Sequence, residues 1–476
     1  MNNKVTVLFV PFLMSLSLAS GQQVTFETRE FFPEDGLNND QFGSSSAIFG
    51  VTAVIGSPAD DNNGTNSGSA YVFNTSTGQQ LQQLIPDDGA AVDEFGSSIA
   101  ISGGTVVIGA PGDDDNGSNS GSVYLFNAST GQQIRKITPA DGATNDMFGT
   151  SVAILGNTIV IGAPGDDGVA SGAGSVYVFN TNGQQRRELF ASDGGFLDGF
   201  GSSVGISTNS IVVGAFGNDE LGSNAGSAYV FDVGSFQQLQ QLFAADGSAG
   251  DQFGTSIAIF GNTAIVGAIG DDDNGSNSGS AYLFDARLGM QTAKLSPLGG
   301  AAGDLFGESV GISGDTAVVG ARMNDTNGSN SGSAYTFQTT NNGFNIGRQL
   351  SQLLPSIPVV SIQLGTSVAI STSNSIVVGA PQTPFGVNGS GNAFFYSGTP
   401  LPPPPPPPSP PALEVEITQG SALTFATVNE FKYILESSFD EESWTATGQV
   451  LTGDGEEQTF CFEPLAGQFF RVVRAE

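Results

Sequence analysis

The chain has 476 residues, with 46 Asp and Glu against 13 Lys and Arg, and a formal net charge of −33. It contains one cysteine and no histidine. Those counts exclude histidine-dependent hydrolysis, histidine-bound zinc or haem, and an internal disulfide. The acidity argues against nucleic acids and anionic membranes as partners.

Residues 1–21 read as an export signal. Met1 to Lys4 is a short start with one positive charge, and Val5 to Leu18 is an apolar run too short to span a bilayer. Small residues follow at Ser17, Ala19, Ser20 and Gly21, which predicts cleavage within 19–21 and a secreted or cell-surface mature chain. Cys461 is then expected as a buried small apolar residue.

Repeats dominate residues 22–398. Phe-Gly recurs at Phe42, Phe95, Phe148, Phe200, Phe253 and Phe306, and Leu364-Gly365 makes a seventh copy. Each is followed by a Gly-Ala-Pro-like element, such as Gly109-Ala110-Pro111, Gly162-Ala163-Pro164 or Gly379-Ala380-Pro381. A fixed period near 50 residues marks stacked supersecondary units. In the second unit Ser97 to Ser102 alternates as a strand, Gly103-Gly104 turns, and Thr105 to Ala110 forms a β-branched strand. A polar loop from Gly112 to Ser120 leads to a third strand, Ser122 to Phe126, and then a fourth, Gln132 to Thr138. Seven such units predict an all-β fold: a seven-bladed β-propeller with four antiparallel strands per blade. A linear solenoid is the alternative. The last unit stops after its third strand, at Ala393 to Tyr396, whereas the mature chain starts with a fourth-strand pattern. The segment from Val24 to Phe32 is therefore expected to zip into the seventh blade and close the ring.

Phe-Gly, a β-branched hairpin, Gly-Ala-Pro and then Gly-Ser-x-Tyr-x-Phe resemble the FG-GAP repeats of the integrin α head and of many exported bacterial proteins. The resemblance implies an extracellular binding or adhesion platform, often loaded with calcium. Integrin-type blades carry a D-x-D-x-D-G calcium loop between Phe-Gly and Gly-Ala-Pro. This chain has a tight Gly-Asn or Gly-Gly turn there, so calcium does not transfer at those residues.

Seven prolines from Pro402 to Pro408 predict a stiff linker over 399–411. Residues 412–476 alternate at Leu413–Ile417, Ala422–Phe425, Lys432–Leu435, Thr459–Phe462 and Phe469–Val473, which predicts a small antiparallel β domain. Ser437-Ser438-x-Asp440, Trp444, Gly453-x-Gly455 and Phe469 to Val472 resemble a terminal module of secreted bacterial proteins.

More than half of the acids fall in the loops joining strands two and three, or strand four to the next blade. In a propeller both loop sets open on one face. Asp, Asn, Gly and Ser suit tight loops because their side chains bond the local backbone. They also suit Ca²⁺, which takes hard oxygen ligands. The candidate calcium ligands are Asp60, Asp113, Asp115, Asn119, Asp166, Asp271, Asp273 and Asn277. The repeated tyrosines (Tyr71, Tyr124 and their equivalents) read as packing. From Thr326 to Leu413 the only charged residue is Arg348, so this neutral sector is a candidate docking surface.

The expected function is a non-enzymatic binding platform for an extracellular protein or polysaccharide. A carbohydrate-binding accessory protein is one alternative, and a propeller hydrolase or lyase is a lesser one. Acids repeated blade after blade argue against a singular catalytic pair. The sialidase-type Asp box is absent, and so are a phosphate loop and a nucleophile elbow.

Overall fold

A computed structural model describes residues 23–340, 346–382 and 389–397, together with the backbone of six strands beyond residue 415. The chain divides into two compact units, Met1–Thr399 and Pro400–Glu476. The expected export segment and the polyproline linker lie outside the described residues.

The first unit is a ring of seven sheets, each built on four antiparallel strands, one of them carrying a fifth strand at its edge. Blade two shows the pattern. Ser98–Ser102 lies at the axis and turns at Gly103, whose φ is 62°. Thr105–Ala110, Ser122–Asn127 and Gln133–Ile137 follow outward. The middle strands are β-branched and aromatic because both their faces pack against neighbouring blades. The first strands meet one another all the way round, the seventh (Ser367–Ile370) meeting the first (Ser45–Phe49). That closure selects the propeller over a solenoid.

The sequence motifs turn out to be one clasp between blades. Between blades two and three, Gly149, next to Phe148, donates its N–H to Gly162 O in its own blade-three sheet at 2.9 Å. Its carbonyl faces backwards and accepts from Ser98 Oγ of blade two at 2.7 Å. The same bond joins Ser45 to Gly96, Ser151 to Gly201, Ser203 to Gly254, Ser256 to Gly307, Ser309 to Gly365 and, closing the circle, Ser367 to Gly43. The carbonyl lies so close to the preceding blade that a Cβ at Gly109 would fall 2.0 Å from Gly149 O. Both glycines are therefore required, one at positive φ (Gly149, 95°) and one for close approach. Beside them the Phe ring fills the wedge: Phe95 meets Tyr124 and Phe126 edge-on at 5.5 and 5.7 Å, and it packs with Val54 and Val72 of blade one.

Closure by the N-terminal segment differs from a single strand over 24–32. Gln23–Phe26 lies parallel to Gln349–Leu354, as a fifth strand on the edge of blade six. Only Arg29–Phe31 pairs antiparallel with Asn392–Tyr396 and completes blade seven. Two interactions fix the crossing. Thr28 donates its N–H and Oγ1 to Phe395 O, and the Glu27 carboxylate accepts from Ser356 N and Oγ. The split covers the open edge of blade six, which would otherwise expose a row of backbone groups.

The second unit holds two three-stranded antiparallel sheets, ordered Glu416–Thr418, Ala422–Ala426, Glu457–Cys461 and Thr445–Thr452, Lys432–Ser438, Phe469–Arg474. Thr445–Thr452 is a strand that the alternation did not reveal, because Gly448 and the run of polar residues break it. Asp440, Trp444, Gly453 and Gly455 lie outside the described residues.

Two neighbouring glycines test the clasp. Gly109→Ala is expected to destabilise by about 3 kcal/mol or more. Gly104→Ala, at a turn with open space around its Cα, is expected to change stability by less than about 0.5 kcal/mol. Urea unfolding of both variants checks this, and equal midpoints would disprove the clasp.

Candidate functional site: the loop face

The two acidic loop sets converge on one face, and not all of their acids lie on its surface. Asp40, Asp60, Asp93, Asp113, Asp146, Asp166, Asp251 and Asp271 are all buried. Each acts as a hub for its loop. The acid before each Phe-Gly accepts a backbone N–H three residues back, as Asp93 Oδ2 does from Ala90 at 2.7 Å. The first acid after Gly-Ala-Pro accepts a loop N–H with one oxygen and a tyrosine hydroxyl with the other. Asp60 takes Asn62 N (3.0 Å) and Tyr71 OH (2.7 Å); Asp166 takes Gly168 N (2.7 Å) and Tyr177 OH (2.9 Å). Tyr71, Tyr124, Tyr177 and Tyr282 are thus both packed and polar, buried to the ring with the hydroxyl seated on an acid eleven residues earlier. That constant spacing was a signal in the sequence.

Blades two and five add a cation. Lys136 Nζ lies 2.8, 2.9 and 2.6 Å from Asp88, Asp113 and Asp115. Lys294 Nζ lies 2.7, 2.9 and 2.5 Å from Asp246, Asp271 and Asp273. Both ammonium groups also stand 5.2 Å from the tyrosine ring of their own blade. Burial pushes the Asp113 and Asp271 carboxyls up, but the bonds from lysine, from the neighbouring serine and from other donors together outweigh it and hold both below the ordinary range. The two lysines are held well above theirs, the bonds to their acids overcoming burial.

The structure therefore brings Asp113 and Asp115 together on one lysine, and Asp271 and Asp273 on another. Asn119 and Asn277 sit elsewhere in the same loops. They adopt left-handed backbone (φ 52° for each) and donate N–H to Asp114 and Asp272. Asp60 and Asp166 belong to blades one and three. The eight candidate ligands are spread over four separate loops. The lysines were missed because they lie on the fourth strand, opposite Tyr124 and Tyr282, more than twenty residues from the acids they meet.

Elsewhere the charge is managed differently. In blades four and six the hub is an amide: Asn218 Nδ2 donates to Asp198 at 3.2 Å and Asn324 Nδ2 to Asp304 at 2.9 Å. In blades one and two the hub is an acid facing another acid. Asp40 and Asp93 are each pushed up to about 6, by burial first and then by Asp60 and Asp113 respectively. In blade six Glu308 stands where other blades place Ser or Thr. It pairs with Arg322 at 2.5 Å, yet burial pushes it up to about 7.

This geometry defines a closed, repeat-built propeller scaffold whose polar residues are largely committed to holding its loops. The FG-GAP repeat model matches residues 26–73, 79–126, 132–179, 184–231, 236–284 and 290–337, more than half of the chain, and the chain belongs to the FG-GAP repeat family. Each match begins near the fourth strand of one blade and ends in the third strand of the next. The sequence repeat and the blade are thus out of phase by one strand, which obliges the N-terminal segment to complete the last blade. No match was found among curated proteins.

The raised carboxyls set a pH dependence. A carboxyl whose folded-state pKa is raised favours folding in its protonated form. That contribution is complete below the ordinary value near 4 and is lost as pH rises through 6 and 7. Asp113 and Asp271 act oppositely, but their contribution falls away only below the ordinary range. The melting midpoint is therefore expected to rise as pH falls from 7.5 to 5. Asp93→Asn should flatten that rise, and a midpoint independent of pH would contradict the assignment.

Proposed function

We propose that the chain is a secreted or cell-surface binding platform without enzymatic activity, and that its partner protein sits on the loop face at blades three and four. One observation carries this reading: exposed apolar residues cluster there. In blade two Asn119 Nδ2 bonds Asn145 Oδ1 across the loops at 3.2 Å. The corresponding residues one unit later are Gly172 and Leu197, with Leu197 Cδ2 lying over the glycine. Val169 lies over Gly194 and the Phe216 ring over Gly199 in the same sector. Phe196, Leu197 and Val169 are 69 %, 59 % and 51 % exposed. An apolar group inside a polar rim is the usual composition of a contact surface. The acids of that rim, among them Asp167, Asp193 and Asp219, favour a partner with basic surroundings. FG-GAP repeats are typical of extracellular proteins, and the apolar run at Val5 to Leu18 supports export. Repetition of the acids from blade to blade supports a binding role over catalysis. Among the described residues no helix is long and apolar enough to cross a membrane.

The double variant Phe196→Ser/Leu197→Ser is expected to lose at least about tenfold in cross-linked partner recovered from the native extracellular milieu, since apolar anchors dominate interface energy. Phe260→Ser, at the end of a first strand beside a turn of the opposite face, should lose nothing. Equal losses, or none, would refute the assignment.

Calcium is a second reading, confined to blades one and three. In blades two and five the residues do not fit a bare ion, because a lysine ammonium takes the carboxylate oxygens. No lysine or arginine pairs with Asp60 or Asp166 among the described residues. In blade three Glu188 stands where blades two and five have lysine, and burial followed by Asp141 and Asp166 pushes its carboxyl up. Calcium should then raise the melting midpoint beyond sodium at matched ionic strength. An equal rise removes this reading.

A further inference from the structure

The residue opposite the third-strand aromatic decides the charge of each blade's outer edge. It is Lys136 or Lys294 in blades two and five, and Gln83, Gln241 or Gln352 in blades one, four and six. Every glutamine donates to the tyrosine hydroxyl opposite. Blade three places Glu188 there, and blade seven also carries an acid. Its fourth strand comes from the N-terminus and places Glu30 opposite Phe394, which has no hydroxyl. Asn392 takes the position of the serine that elsewhere bonds the loop acid, as Ser122 bonds Asp113. It is 2 % exposed, its Nδ2 reaches Glu30 Oε2 at 3.4 Å, and its Oδ1 has no hydrogen-bond partner among the described residues.

These two groups line a cleft of about 170 Å³ whose other walls are Pro355, Ile357, Val359, Ile362 and Phe394. The walls are apolar; Glu30 brings a carboxylate to them, and the Asn392 Oδ1 acceptor lies buried behind. A buried acceptor without a donor costs free energy, and a carboxylate beside it calls for a positive donor. The volume suits one side chain of lysine size rather than a larger ligand. Blades two and five place an ammonium from their own strand in the corresponding position; blade seven has the acceptors and the greasy wall without one. We propose that this cleft binds an alkylammonium group, an aliphatic stem ending in a primary ammonium, with the stem against Ile357, Ile362 and Phe394 and the nitrogen between Glu30 and Asn392 Oδ1. The ammonium would donate to both acceptors. Burial, and then Glu27, raise the Glu30 carboxyl, and a bound cation would bring it back down. This site is separate from the blade-three sector, and its failure would leave that reading untouched.

The test uses the full mature chain and calorimetric titration at pH 7.5 in moderate salt. The probes are n-pentylammonium, n-pentanol, pentanoate and methylammonium, with Nα-acetyl-lysine N-methylamide as a mimic of a lysine in a polypeptide. Pentylammonium is expected to bind at least about tenfold more tightly than pentanol, and pentanoate not at all, because a charge-assisted bond in a partly dry cleft is stronger than a neutral one. Glu30→Gln and Asn392→Ser should each weaken it by about tenfold. Glu188→Gln, in blade three, should not. Unchanged melting midpoints keep a folding defect from mimicking the effect. Tighter binding of the lysine derivative identifies a partner polypeptide as the source of the group, and tighter binding of the free amine a small molecule. Pentanol binding as tightly as pentylammonium would overturn the proposal. So would methylammonium matching pentylammonium, which would be mere counter-ion attraction, or a Glu30→Gln variant that binds normally.

Discussion

Seven serine hydroxyls, each donating to a glycine carbonyl of the following blade, tie the sheets into a circle. A propeller blade has two apolar faces and cannot bury both alone, so its stability depends on the neighbours at each side. The clasp sets the distance at which that burial happens. Glycine on both sides lets backbone approach backbone, and the serine satisfies a carbonyl that would otherwise be buried without a donor. The Phe beside the first glycine then fills the wedge between two sheets. Phe-Gly, the serine two residues past it, and Gly-Ala are parts of one interaction whose halves belong to different blades.

The strong negative charge is tolerated because it is not left as a field of bare surface carboxylates. Buried acids accept from loop amides and tyrosine hydroxyls. Lysines serve blades two and five, and asparagines replace the hub acid in blades four and six. Two carboxylates about 8 Å apart repel by roughly 0.5 kcal/mol in water, a load that salt and local bonding absorb. Where two buried acids face each other, as Asp40 and Asp60 do, the strain is expressed as a raised carboxyl rather than as a broken loop.

Departures from the repeat concentrate in two sectors. Blades three and four set Leu197 over Gly172 and expose Phe196. Blade seven drops its loop acid, its tyrosine hydroxyl and its serine together. A repeat that holds its loops by the same bonds in other blades has no structural need of either change, which makes both sectors the places where recognition can be specific. In blade seven the acids arrive only with the N-terminal strand, into a sector that is otherwise free of them.

The period, the hairpin turns and the alternating strands were legible because they are local: φ-tolerant glycines, β-branched runs and apolar alternation carry their meaning within a few residues. Seven blades, their strand order and the need for a strand from the chain's start all follow from that pattern. The division of the start into Gln23–Phe26 on blade six and Arg29–Phe31 on blade seven did not, because it depends on Thr28 and Glu27 meeting Phe395 and Ser356 more than three hundred residues away. The loop acids likewise read as a surface in the sequence, since nothing local reveals that a lysine or a tyrosine on another strand will be folded onto them. Chain neighbours determined the blade; partners brought together by closing the ring decided which charges are buried, which are paired, and which remain for a ligand.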